Sequence, residues 1–295
     1  MFSVAVALLF ASCSKDNDGR LRIFAENMNG GSSAKIWVNP SSVSTASSSA
    51  TWVVDENINL NGTAYPIARN GEAEYYLNTN DDLKDMASSL LAVYPASTSA
   101  DGNDVTVTNN GSTGTVTIRS LCVDYRDGGH RILFPMAASN NKSDMRLLFK
   151  HLTAGMKLTL TNNSGSIKTI GSLKIVTYGE GSAAGALSAV NGVSCSWMHQ
   201  GPVLPGGEIG SITGNQSVGY ASEMHFTIRN DGSAGKAVDN GSSIGLCVPL
   251  TINKITKIEV TGYDTDGAQL FFKTKSVSAL DVTANEMYTI PEIQF

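Results

Sequence analysis

The sequence predicts an all-β protein built from two tandem antiparallel β-sandwiches. Three observations carry that reading. Short alternations of apolar and polar residues recur along the chain, Gly/Asn/Asp/Ser clusters separate them about every 8 to 12 residues, and amphipathic helical periodicity is nearly absent. The 295 residues are 41% hydrophobic, enough to fill two cores, because single domains run to roughly 100 to 200 residues. Only 16% of residues are charged while 29 are glycine, which suits short strands joined by many turns. The net charge is −5, and no run of Lys and Arg offers the cationic surface that nucleic acid binding requires.

The opening MFSVAVALLFASC places a short apolar run, Val4 to Phe10, before the small residues Ala11 and Ser12 and then Cys13. Residues 1–12 are read as a lipoprotein signal peptide, too short to span a bilayer. Cys13 is the expected lipidation site, with diacylglycerol on its thiol and an acyl chain on its amine. Each buried methylene of such chains contributes about 0.8 kcal/mol to membrane binding, so several chains anchor the protein. The missing basic segment before Val4 predicts a start codon further upstream. Residues 13–29 follow as an acidic tether, Ser14-Lys15-Asp16-Asn17-Asp18-Gly19, and a first strand. Beyond Phe10 no apolar run approaches the roughly 18 residues of a membrane helix, so the mature chain is expected to be soluble apart from its lipid.

Residues 30–140 are read as the first sandwich. Within it, Asn80 or Asp81 caps the one helical turn expected, through Asp82, Leu83 and Met86, with carboxylates at the positive end of its dipole. Leu91 to Pro95 resumes as strand. Val105-Thr106-Val107-Thr108 and Thr115-Val116-Thr117-Ile118-Arg119 flank a Gly/Asn loop and form a hairpin. The polar stretch Pro135 to Asp144 is the expected boundary. Residues 145–295 then form the second sandwich, in which Met156, Leu158 and Leu160 alternate with Lys157, Thr159 and Thr161. Lys257 to Thr261, with Ile258 and Val260 inward, turns at Asp264-Thr265-Asp266-Gly267 and returns through Gln269 to Thr274.

No constellation for catalysis emerges. His130, His151, His199 and His225 lack a partner at metal-ligand spacing and read as satisfied core or surface residues. No nucleophile elbow or phosphate loop is present, so the expectation is a non-enzymatic chain with no catalytic residue, no metal and no cofactor. Asp264 to Gly267 reads as a turn, because the remaining acidic positions of a calcium loop are missing. Trp37, Trp52 and Trp197 read as core, with a sugar-stacking platform as the alternative. Cys122, Cys195 and Cys247 are an odd number after Cys13, which leaves at least one thiol unpaired and permits one disulfide.

Four segments together resemble the fimbrillins, lipoprotein-derived subunits of type V pili. Leu91-Ala92-Val93-Tyr94-Pro95 is similar to the family's aliphatic-Ala-x-aromatic-Pro strand. Leu148-Phe149-Lys150-His151-Leu152-Thr153-Ala154-Gly155-Met156-Lys157-Leu158 is similar to its Phe-Lys-His-x-x-Ala-x-Leu strand. Trp52 to Gly62 matches its Trp, acidic turn and extended strand, and Glu286 to Ile290 its last strand. The resemblance implies two transthyretin-like sandwiches exported to the outer membrane as a surface lipoprotein. It also implies proteolytic removal of the first strand, near Leu21 to Ala25, after an early basic residue; Arg20, Arg22 and Arg69 are the candidates, Arg69 being expected in a polar turn. The vacated groove then accepts a strand from another fimbrillin subunit, and the donor candidate here is Tyr288, Ile290, Ile293 and Phe295. Expected partners are other fimbrillin subunits, outer-membrane lipid through Cys13, and a host or bacterial surface ligand recognised in adhesion, but not nucleic acid. The alternative reading is a surface lipoprotein that binds glycans for a polysaccharide-capture system.

Overall fold

The computed structural model describes residues 20–25, 37–38, 52, 56–70, 74–79, 82–86, 89–111, 113–126, 129–141, 145–179, 189–191, 193–199, 209–214, 221–250, 254–282 and 286–295. Cys13 lies outside the described residues. The described chain is all-β and sandwich-type, with a single helical turn.

In chain order the first elements are β1 (Leu21–Ala25), β2 (Trp37–Val38), β3 (Asn57–Leu60), β4 (Thr63–Asn70), β5 (Glu74–Leu77), α1 (Asp82–Asp85) and β6 (Ser89–Tyr94). There follow β7 (Asp104–Asn109), β8 (Thr113–Arg126), β9 (Gly129–Arg131), β10 (Met136–Asn141), β11 (Arg146–His151), β12 (Ala154–Thr161), β13 (Lys168–Ile170) and β14 (Ser172–Gly179). Next come β15 (Ala189–Asn191), β16 (Val193–His199), β17 (Ile209–Gly214), β18 (Ala221–Asn230), β19 (Ser233–Ala234), β20 (Lys236–Val238) and β21 (Ser243–Leu250). The chain closes with β22 (Lys254–Tyr263), β23 (Gln269–Asp281), β24 (Met287–Thr289) and β25 (Ile293–Gln294).

Seven strands close on themselves in the order β1-β11-β10-β6-β3-β4-β5. Closure removes the exposed backbone edges that a flat sheet would present. The interior of this unit is apolar and deeply buried: Leu21, Ile58, Leu60 and Leu90 have no exposure. Strand β6 is buried along nearly its whole length, as its uninterrupted Leu-Leu-Ala-Val-Tyr run requires of a strand covered on both faces. The turn between β3 and β4 is Asn61-Gly62, with φ of 48° and 97°. Two consecutive positive φ values define the hairpin turn whose twist matches the flanking strands, and Asn-Gly meets that demand at little cost.

A second, larger sheet runs β17-β16-β8-β18-β14-β22-β23, with β7 and β9 also paired to β8. The expected hairpin is present as β7 and β8, with Thr108 opposite Thr115. Ile258 and Val260 face inward at 1% exposure, and the β22–β23 turn falls at Asp264 to Gly267. There Asp264 Oδ1 accepts from the amides of Asp266 at 3.0 Å and Ala268 at 2.8 Å, so the carboxylate organises a turn.

Three features differ from the sequence expectation. The stretch Pro135 to Asp144 contains a strand, β10, which pairs with β6 along six positions from Met136↔Tyr94 to Asn141↔Ser89. Pairing also crosses the expected boundary, since β11 joins β1 and β10 while β8 joins β16 and β18. Strand β12 is buried at every position but Thr159, and even Lys157 is only 4% exposed. The alternating side chains of β12 therefore do not separate a dry face from a wet one. Its edges are occupied by β21 on one side and by β24 and β25 on the other.

Candidate functional site

The site begins with β1. Leu21 and Ile23 point into the closed unit at 0% and 3% exposure, while Phe24 is 45% exposed on the outside. On one side β1 runs parallel to β11, from Arg22↔Arg146 to Ala25↔Phe149. On the other it runs antiparallel to β5, Leu21↔Leu77 and Arg22↔Tyr76. The strand is thus an interior member of the ring even though it stands near the chain's start. Taking it away opens two backbone edges at once, on β5 and β11, and empties the two pockets filled by Leu21 and Ile23. Such paired vacancies are what β-augmentation uses in general, main-chain groups supplying affinity and alternate side-chain pockets supplying register.

The three candidate cleavage residues are differently placed. Arg20 precedes β1 and its guanidinium lies 4.7 Å from the centre of the Tyr76 ring. Arg22 lies within β1; its side chain is bonded to the Glu74 carboxylate, and its amide donates to the Met145 carbonyl at 2.8 Å. Arg69 is in strand β4, not in a turn, and stacks 5.3 Å from the Tyr75 ring. A cut after Arg20 leaves β1 on the chain, a cut after Arg22 divides it, and a cut after Arg69 takes β3 and β4 as well. The first basic residue beyond Ala25 is Lys35, which the sequence reading did not single out; it lies outside the described residues.

The donor candidate is seated in its own chain. Strand β24 runs parallel to β12, Gly155↔Met287 to Lys157↔Thr289, and β25 continues at Leu160↔Ile293. Between them the amide of Ile290 donates to the Lys157 carbonyl at 3.1 Å. Ile290 and Ile293 are buried at 6% and 1%. Phe295 stacks on Phe271 with ring centres 4.6 Å apart, and the Tyr288 hydroxyl donates to Glu286 at 2.7 Å.

The segments that carry the family resemblance meet in space. Trp52 makes edge-to-face contacts with Tyr94 at 5.3 Å and Phe149 at 5.1 Å, so three motifs far apart in sequence form one aromatic cluster. The Tyr94 hydroxyl donates to Glu56, whose other oxygen accepts from Arg131. Burial, reinforced by the Glu56 carboxylate, holds the Tyr94 phenol well above its ordinary pKa. Trp52 is therefore core, which removes it from any sugar-stacking platform. Trp37 and Trp197 lie in β2 and β16, and their side chains are outside the description.

The histidines are less well satisfied than expected. His151 is buried with neither ring nitrogen hydrogen-bonded, and burial lowers its pKa to about 3. His130 accepts from the Cys247 amide at 3.0 Å, yet its Nδ1 has no partner, and burial lowers its pKa to about 4. His225 pairs with Glu223 on the surface, and the side chain of His199 is not described. Cys122 and Cys247 are free thiols, and no group of ligating side chains able to hold a metal ion occurs among the described residues.

No family model matches the chain, and no curated protein matches it. It is similar to a solved structure of a provisionally assigned cell adhesion protein from Bacteroides ovatus, at 11% identity and a TM-score of 0.47, over 94% of this chain and 92% of that one. A second such protein, from Bacteroides uniformis, aligns at 15% identity and a TM-score of 0.36, over 94% of each chain. A third, from Bacteroides fragilis, gives 12% identity and a TM-score of 0.36, over 92% of this chain and 91% of that one. Overlays this loose carry no argument about what the chain does.

Proposed function

We propose that the chain is a non-enzymatic surface adhesion subunit that assembles with other copies or related subunits by exchange of β1. The observation that supports this reading is the position of β1 inside the closed ring, paired on both edges and contributing two buried side chains. Each of those side chains contributes about 1.5–3 kcal/mol by burial, which an incoming strand of the same pattern restores. Exchange is then close to balanced for matched strands and favourable for a longer one. In this reading Cys13 carries the chain to the outer membrane, and maturation releases β1 together with the lipid. Release of β1 as a unit needs a cut between Ala25 and β2, the interval that contains Lys35.

The donor role of Tyr288 to Phe295 requires that β24 and β25 leave β12 first. The short ladders, of three and two residues, make that release local. The test is the N-terminal residue of the protein recovered from cells. A start beyond Ala25 is expected. A lipidated Cys13 on assembled protein, with β1 retained, would overturn the exchange reading.

A further inference from the structure

We propose that a cleft beside β8 and β9, whose lining includes no residue of β1, binds a neutral sugar residue at the end of a glycan. The cleft has a volume of about 180 Å³, comparable to a single pyranose with its hydroxyls. Its charged lining is Glu56, Asp101 and Asp124 against Arg126, Arg131 and Arg229, three of each sign and so no net charge. Such a wall does not select an ionic ligand. It presents donors and acceptors side by side, which is what a hydroxyl, able both to donate and to accept, uses fully. Ile132 and Leu133, both buried, form the apolar floor beneath these polar groups.

The hydrogen-bond accounting separates support from recognition. Glu56 is used on both oxygens, by Arg131 and by the Tyr94 hydroxyl. Asp124 is likewise used twice, by the Gly232 amide at 3.1 Å and by Arg126. Each of these carboxylates is engaged through both oxygens, which holds the cleft in shape. Arg229 and Asp101 instead meet through one atom each, at 3.2 Å. A guanidinium has five N–H groups and a carboxylate two oxygens, so this pair keeps capacity for a ligand while each partner fixes the other. Asp101 is held by a turn with φ of 58°, followed by Gly102 at 88°, and its side chain is 75% exposed. Cys122, half-buried in the lining, offers a reporter within the cleft.

The experiment titrates the full chain with glucose, galactose, mannose, fucose, N-acetylglucosamine and N-acetylgalactosamine, with sialic acid as the charged control. Binding is read by saturation-transfer NMR and by the rate of Cys122 alkylation in peptide mass spectra. At least one neutral sugar is expected to bind and to slow Cys122 alkylation. Arg229→Ala and Asp101→Asn should each weaken binding by tenfold or more, since a site built for hydroxyls is left with unpaired groups. Both should keep the wild-type thermal midpoint, because exposed ion pairs contribute little to stability. Asn also tolerates the positive φ at 101. Failure of every neutral sugar to bind or protect Cys122, binding of sialic acid alone, or undiminished binding by both variants would overturn the proposal. The cleft shares no residue with β1, β24 or β25, so this test stands apart from that of strand exchange.

Discussion

Trp52 shows how one side chain can be read two ways until its neighbours are known. An exposed indole stacks on sugars; this one is wedged edge-on between Tyr94 and Phe149. Trp52→Ala is expected to cost about 3–5 kcal/mol in chemical denaturation, in the range of large aromatic deletions. The two buried histidines predict an acid sensitivity. Their folded pKa values, about 4 for His130 and about 3 for His151, lie below the ordinary 6.5. Folding therefore favours the neutral rings: the stability is whole above pH 6.5 and is lost as pH falls from there through the folded values. At pH 5 the unfolded chain's preference for protons costs about 2 kcal/mol per histidine. Urea midpoints at pH 7 and pH 5 check this, and His151→Leu should flatten the difference. The sequence showed no ligand at metal-binding spacing from these histidines, but not that their nitrogens go unpaired, because burial of a polar group depends on what the rest of the chain stacks over it.

At the scale of elements, the two turns read from the sequence, the Gly/Asn loop between β7 and β8 and Asp264 to Gly267 between β22 and β23, fall where expected. Asp101-Gly102, Asn61-Gly62 and Asp231-Gly232, which the sequence reading did not single out, also place two successive residues at positive φ, the conformation that Asx-Gly pairs adopt most readily. The one helical turn sits where the acidic cap residues predict it. Pairing partners were far less legible, since a strand's own residues record which face is dry but not which strand lies beside it. That is why Pro135 to Asp144, polar in composition, conceals β10. Close packing between elements gives a further prediction at Gly262, where a Cβ would fall 2.1 Å from the Phe271 ring. Gly262→Ala should destabilise the β22–β23 pair by about 1–3 kcal/mol, the usual cost of overpacking. On the C-terminal segment, Ile293→Ala should cost about 2–5 kcal/mol if β25 remains on β12 in solution. Hydrogen exchange at Ile290, whose amide is bonded to Lys157, then reports whether β24 and β25 open before the rest of the sheet.

For the whole molecule, β1 completes a ring, and its replacement by a strand from another subunit is the proposal to be tested. A strand near Leu21 to Ala25 was expected from the family resemblance, and β1 spans those residues; its removal is part of the proposal. Its parallel partner β11 was not, because that contact joins residues more than a hundred positions apart. Locking β1 in place isolates the claim. Phe24 and Leu148 are register partners on the outer face, exposed at 45% and 42%, so Phe24→Cys with Leu148→Cys can form a cross-link without entering the core. The decisive measurement is the sedimentation mass of this double variant, cut between β1 and β2, with the cross-link oxidised or reduced. The account predicts monomers when the strand is locked and multi-subunit assemblies when it is released. Equal masses in the two states would contradict it.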